Sequence, residues 1–139
     1  MWDDDPPPEV KPAVVRVLIV EDSRATRMVI RAFMLEFGFE IDEASDGSEA
    51  LKFLSSGKCV KLIVCDWEMP VMNGLEFVRN YRASNLPFCR DTPILMSTRL
   101  NTTEAIQNAL ATGANDYIMK PFTKEIFASK LDLLGIDHK

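Results

Sequence analysis

Val14-Val15-Arg16-Val17-Leu18-Ile19-Val20-Glu21-Asp22-Ser23 is an apolar, β-branched run that stops on two carboxylates and a serine. A run this short, rich in Val and Ile and closed by a cap residue, reads as a strand buried on both faces and followed by a helix. The next segment has helical period, with Val29, Ile30, Phe33 and Phe37 on one side and Gly38 after it. The pattern then recurs. Apolar runs at 39–44, 62–65, 94–96 and 116–119 each lead into an amphipathic stretch, the last carrying Phe127, Leu131 and Leu134. Gly57, Gly113 and Gly135 close later helical segments, where a left-handed cap suits a residue without Cβ. Five βα units joined by right-handed crossovers predict an α/β fold, a five-stranded parallel sheet with helices on both faces. Phe39-Glu40-Ile41-Asp42-Glu43-Ala44 alternates apolar and charged, so it belongs on an edge. The predicted order is 2-1-3-4-5, with ligands beyond the carboxyl ends of strands 1 and 3.

The chain has 139 residues, enough for one domain, and 47% apolar residues, enough for a core without staples. Its formal net charge of −5 gives a nucleic-acid or anionic-membrane surface no electrostatic footprint, so no direct DNA binding is expected. No run approaches the roughly 18 apolar residues that cross a bilayer, so no membrane insertion is expected. The start, Met1-Trp2-Asp3-Asp4-Asp5, is acidic where a signal peptide is basic. Cys59, Cys65 and Cys89 lack metal-ligand spacing and the lone His138 stands apart, which argues against zinc. Their odd number fits a reducing cytosol, with the thiols as packing groups and the protein cytoplasmic. Residues 1–13 hold three aspartates and four of the eight prolines and read as a flexible tail, leaving 14–139 as the folded domain.

The residues at the strand ends carry the chemistry. Glu21 and Asp22 follow the first strand, Asp66 closes the third, Thr98 closes the fourth and Lys120 follows the fifth. One rim would gather them all. Three carboxylates there repel one another unless a cation joins them, and hard oxygen donors suit Mg²⁺ or Mn²⁺. A hydroxyl and an ammonium opposite them suit a tetrahedral anion. An anion beside acids makes sense when one acid carries it, so Asp66 reads as a nucleophile that becomes an aspartyl phosphate. Each residue alone has a plainer reading: Glu21-Asp22-Ser23 as a helix cap, Asp66 as a turn residue, Lys120-Pro121 as a surface turn. The coincidence of all five at successive strand ends favours function.

These residues resemble the receiver domain of two-component response regulators, most closely the single-domain chemotaxis CheY type, which has the flavodoxin-like receiver fold. The resemblance runs from about Arg16 to about Gly135. It rests on Leu18-Ile19-Val20-Glu21-Asp22-Ser23, Cys65-Asp66-Trp67-Glu68-Met69-Pro70 with Asn73-Gly74, Pro93-Ile94-Leu95-Met96-Ser97-Thr98, and Tyr117-Ile118-Met119-Lys120-Pro121-Phe122. It implies that Asp66 accepts a phosphoryl group from a histidine kinase or phosphotransfer protein. Glu21, Asp22, Asp66 and the backbone carbonyl of Glu68 would hold the metal, and Thr98 and Lys120 would contact the phosphoryl oxygens. Lys120-Pro121 would be cis. Thr98 and Tyr117 would act as switch residues, repacking a face made by helix 4, strand 5 and helix 5 that an unknown protein target reads. The chain would be a signalling switch that catalyses only its own phosphorylation and dephosphorylation, with its output on a partner's surface.

The sequence departs from the family at Arg99, where a small residue usually follows the hydroxyl, and Glu68 adds a fourth carboxylate at a variable position. Trp67 is expected to act as a fluorescent reporter rather than in the chemistry. A haloacid-dehalogenase-like phosphatase also combines these groups, but there the nucleophile precedes the acidic pair along the chain. A degenerate receiver would have lost the pair, the aspartate or the lysine, and none is lost here.

Overall fold

The computed structural model describes residues 14–84 and 91–139. The expected tail, 1–13, and Cys89 lie outside the described residues. The elements are β1 (Arg16–Val20), α1 (Arg24–Glu36), β2 (Glu40–Ala44), α2 (Gly47–Ser55), β3 (Leu62–Asp66), α3 (Gly74–Arg82), β4 (Ile94–Thr98), α4 (Thr103–Thr112), β5 (Asp116–Met119) and α5 (Lys124–Leu133). All strand pairs are parallel, in the order β2-β1-β3-β4-β5.

Alternation along the strands divides the core into two layers. Leu18, Val20, Ile63, Cys65, Ile94 and Met96 meet Leu54, Phe77, Val78 and Tyr81 from α2 and α3. Val17, Ile19, Leu62, Val64, Leu95 and Ile118 meet Ile30, Met34, Phe127 and Leu131 from α1 and α5. β3 and β4 are buried throughout, whereas edge strand β2 buries only Ala44 fully. Arg16 ties that edge down by donating to Asp42 at 3.1 Å.

The helix boundaries follow local chemistry. Ser23, Asp46, Asn73, Thr102 and Thr123 cap α1 to α5 respectively, each side chain accepting a backbone N–H. Gly113 ends α4 at φ +128°, as the sequence predicted for a glycine cap. Cys65 is a buried free thiol. Cys59 is disulfide-bonded, which corrects its reading as a packing group. Spacing along a chain does not report which cysteines meet in space. Among the described residues, no helix is long and apolar enough to cross a membrane.

The loop from β3 to α3 carries the one positive-φ residue besides glycine among those described, Val71 at φ +68°. Its side chain is 84% exposed, so packing offsets little of the cost of a β-branched residue in the left-handed region. Val71→Asn is expected to raise stability by about 1 kcal/mol, because asparagine tolerates that conformation. Denaturant titration checks this, and an unchanged or lower midpoint would count against the strain.

Candidate phosphoryl-acceptor site

Register assembles the site. Val20 pairs with Ala44 on one side and Cys65 on the other, so Glu21 and Asp66, one residue further on, end neighbouring strands. Asp66 pairs with Ser97, and Thr98 pairs with Met119, which brings Thr98 and Lys120 to the same rim. The Lys120 N–H donates to the Thr98 carbonyl at 2.8 Å. The Lys120–Pro121 peptide is cis, as the resemblance implied. The Ser23 side chain caps α1 by accepting the Thr26 N–H, no acid lies in the first turn, and Glu21 Oε1 accepts the Ser23 N–H at 3.2 Å while its other oxygen faces the cleft.

These residues line a cleft of about 180 Å³ together with Ser23, Thr26, Trp67, Glu68 and Arg99. Carboxylate oxygens of Glu21, Asp22 and Asp66 lie within 4.8 Å of one another, the only such acidic grouping among the described residues. Glu21 and Asp66 are buried, at 1% and 6% exposure, and Asp22 is exposed. The Lys120 Nζ sits 2.8 Å from Asp66 Oδ1 and 3.3 Å from Glu21 Oε2. Thr98 is buried and its Oγ1 accepts the Leu100 N–H at 3.0 Å. Glu68 lines the cleft, and its backbone exerts a small downward pull on the Asp66 carboxyl.

One ammonium does not balance this set. Burial, then the charge of Asp66, pushes the Glu21 carboxyl up to about 7, against the pull of Lys120. Burial raises the Asp66 carboxyl as well. Hydrogen bonds and charge from the two acids outweigh desolvation at Lys120 and raise it. Three hard oxygen ligands within one ion's reach, short of positive charge, fit a divalent cation such as Mg²⁺.

The imbalance predicts a pH effect on stability. A carboxyl whose folded pKa is raised stabilises fully below its unfolded value, and that contribution is lost as pH rises through the folded one. The metal-free protein should therefore lose on the order of 2 kcal/mol between pH 4.5 and 7 through Glu21. Asp66 acts in the same direction, and Lys120 titrates too far into the alkaline range to offset it. Mg²⁺ should restore the loss by binding the folded state alone. Melting curves with chelator and with Mg²⁺ check this, and a decline that persists unchanged in Glu21→Gln would refute the assignment.

Tyr117 stands apart from the cleft. Half-buried on β5, it packs on the α2/α3 layer and carries the Lys130 Nζ 4.5 Å from its ring centroid. Lys130 also donates to Asp116 at 3.1 Å. Ser23 and Thr26 were not singled out as cleft residues from the sequence, because a cap serine and a helical threonine carry no signature of a site.

A parallel α/β sheet with an acidic cluster, a buried hydroxyl and a lysine at its carboxyl rim defines a class of phosphoryl-accepting proteins. Residues 17–132 match the family model described as the response regulator receiver domain, and the chain belongs to that family. It is 38% identical over 123 residues to a chemotaxis protein CheY homolog of Campylobacter jejuni, covering 87% of this chain and 93% of that protein. The structure of chemotaxis protein CheY4 of Vibrio cholerae, crystallised at low pH, superposes with a TM-score of 0.78 at 35% identity, covering 87% and 98% of the two chains. The receiver domain of a Pseudomonas aeruginosa sensor histidine kinase superposes with a TM-score of 0.76 at 28% identity, covering 87% and 97%, and its structure has magnesium coordinated in the active-site cleft. The chain is thus a receiver of the CheY type, a phosphorylation-activated signalling switch of two-component systems.

Proposed function

We propose that Asp66 accepts a phosphoryl group from a histidine kinase or phosphotransfer protein, and that the modified chain signals through a protein target. The observation that carries this reading is the Asp66 carboxylate at the floor of the cleft, paired with Lys120 at 2.8 Å. An Asp66 oxygen forms a bond to phosphorus while the bond from phosphorus to the donor's leaving group breaks, so the phosphoryl group is transferred and the leaving group departs with the electron pair. Lys120 holds the acceptor carboxylate in place beforehand and offsets negative charge on the transferred oxygens afterwards. The Thr98 hydroxyl, whose oxygen already accepts from Leu100, keeps its proton to donate to one of those oxygens.

Glu21, Asp22, Asp66 and the backbone carbonyl of Glu68 would hold Mg²⁺, or Mn²⁺, whose charge neutralises the group in transit. The acidic grouping and the magnesium in the Pseudomonas structure support this. The chain catalyses only its own phosphorylation and dephosphorylation, in the cytoplasm, where such donors act. Residues 14–139 form the working unit. Thr98 and Tyr117 change position on phosphorylation and alter the face made by α4, β5 and α5, which a protein target reads without direct DNA contact. The half-buried setting of Tyr117 leaves it room for a second packing.

The test is intact mass after incubation with Mg²⁺ and acetyl phosphate. One phosphoryl group per chain, labile to hydroxylamine, is expected. No adduct from acetyl phosphate or from a histidine kinase would overturn the proposal.

A further inference from the structure

Glu21 is held by its main chain as firmly as by its carboxylate. Its N–H donates to the Ala44 carbonyl at 3.0 Å, at the end of β2. Its own carbonyl accepts a 2.7 Å bond from Nη1 of Arg27, in the first turn of α1. The same guanidinium faces Glu43 at 3.8 Å, and Arg31 approaches the other oxygen of Glu43 at 3.7 Å. Arg27 therefore makes its shortest contact with a backbone oxygen in the loop that supplies two of the three clustered carboxylates. Fixing an arginine costs rotamer entropy, and a short charge-assisted bond offsets this while locking the peptide plane it touches. That plane is the Glu21–Asp22 peptide, whose orientation sets where both side chains leave the chain.

We propose that Arg27 is a positioning residue that fixes the Glu21–Asp22 peptide and so aims both carboxylates at a divalent cation. The inference rests on the reading of Glu21, Asp22 and Asp66 as a cation site. Charge alone predicts the opposite behaviour: deleting a cation near an acidic cleft lowers repulsion and tightens Mg²⁺ binding. Positioning predicts weaker binding, because groups that orient ligands typically cost 10- to 100-fold in metal affinity when removed.

The experiment is Mg²⁺ titration of the full chain, by calorimetry and by Trp67 emission in a Trp2→Phe background. Arg27→Met is expected to weaken Mg²⁺ binding about tenfold, and Arg27→Lys to recover part of the loss. Unchanged or tighter binding by Arg27→Met overturns the inference. So does a lowered melting temperature with unchanged affinity, which marks a purely structural role. If Arg27→Met does not fold, Arg27→Lys decides the matter, and parent-like affinity for that variant overturns the inference. A parent chain that binds no Mg²⁺ overturns the cation-site reading itself, an outcome distinct from a parent that binds and a variant that binds equally well.

Discussion

Asp66→Asn protein is expected to show no phosphoryl adduct under conditions that load one group onto the parent. The carboxylate at this position is 6% exposed and its Oδ1 meets Lys120 at 2.8 Å, so the proposed acceptor atom is already oriented. An amide keeps nearly the same shape and an oxygen for Lys120, but it has no anionic oxygen to attack phosphorus. The fold should survive, because the change removes a carboxyl that burial has already pushed up. Removing that charge also relieves Glu21, so the metal-free variant at neutral pH should melt no lower than the parent. Mg²⁺ should bind more weakly with one ligand neutralised. Mass spectra and melting curves on the same samples separate these effects. An adduct at parental level in Asp66→Asn would place the acceptor elsewhere.

Gly74→Ala should produce the largest loss of stability. Gly74 is the first residue of α3, and its N–H donates to the Trp67 carbonyl at 2.8 Å. A Cβ there would lie 2.3 Å from the Asp66 carbonyl oxygen, 2.9 Å from the Trp67 Cα and 3.0 Å from the Met96 sulfur. Two of these neighbours are backbone at the end of β3, which cannot yield without moving Asp66. Overpacking of this kind costs about 3 kcal/mol, and the displaced Asp66 should slow phosphorylation as well. Denaturant midpoints and the rate of adduct formation check both effects. A parental midpoint would show that α3 can retreat, contrary to the close approach described.

Periodicity made the five strands and their order readable because parallel strands buried on both faces leave unbroken apolar runs. The runs stopped short at β3 and β4, where the ladder continues through Asp66 and through Ser97 and Thr98. Hydrophobicity ends there before hydrogen bonding does, and that overhang carries the candidate site. The clustered acids, Thr98 and Lys120 were legible because each falls at a strand end. Arg27 was not, since an arginine on an amphipathic helix reads as a solvated charge, and its bond goes to a carbonyl that no side-chain pattern encodes. The strain at Val71 was equally hidden, because a valine in a turn announces no backbone angle.

The two-layer core has a consequence for how a signal could leave this domain. Ile118 and Tyr117 are adjacent on β5 yet serve opposite layers, Ile118 beside Phe127 and Leu131 and Tyr117 against the α2/α3 layer. A tyrosine that changes its packing therefore disturbs one compartment and leaves the other at native density. The strand works like a bulkhead: one wall can carry information while the far wall keeps the sheet, and the cleft at its end, in alignment.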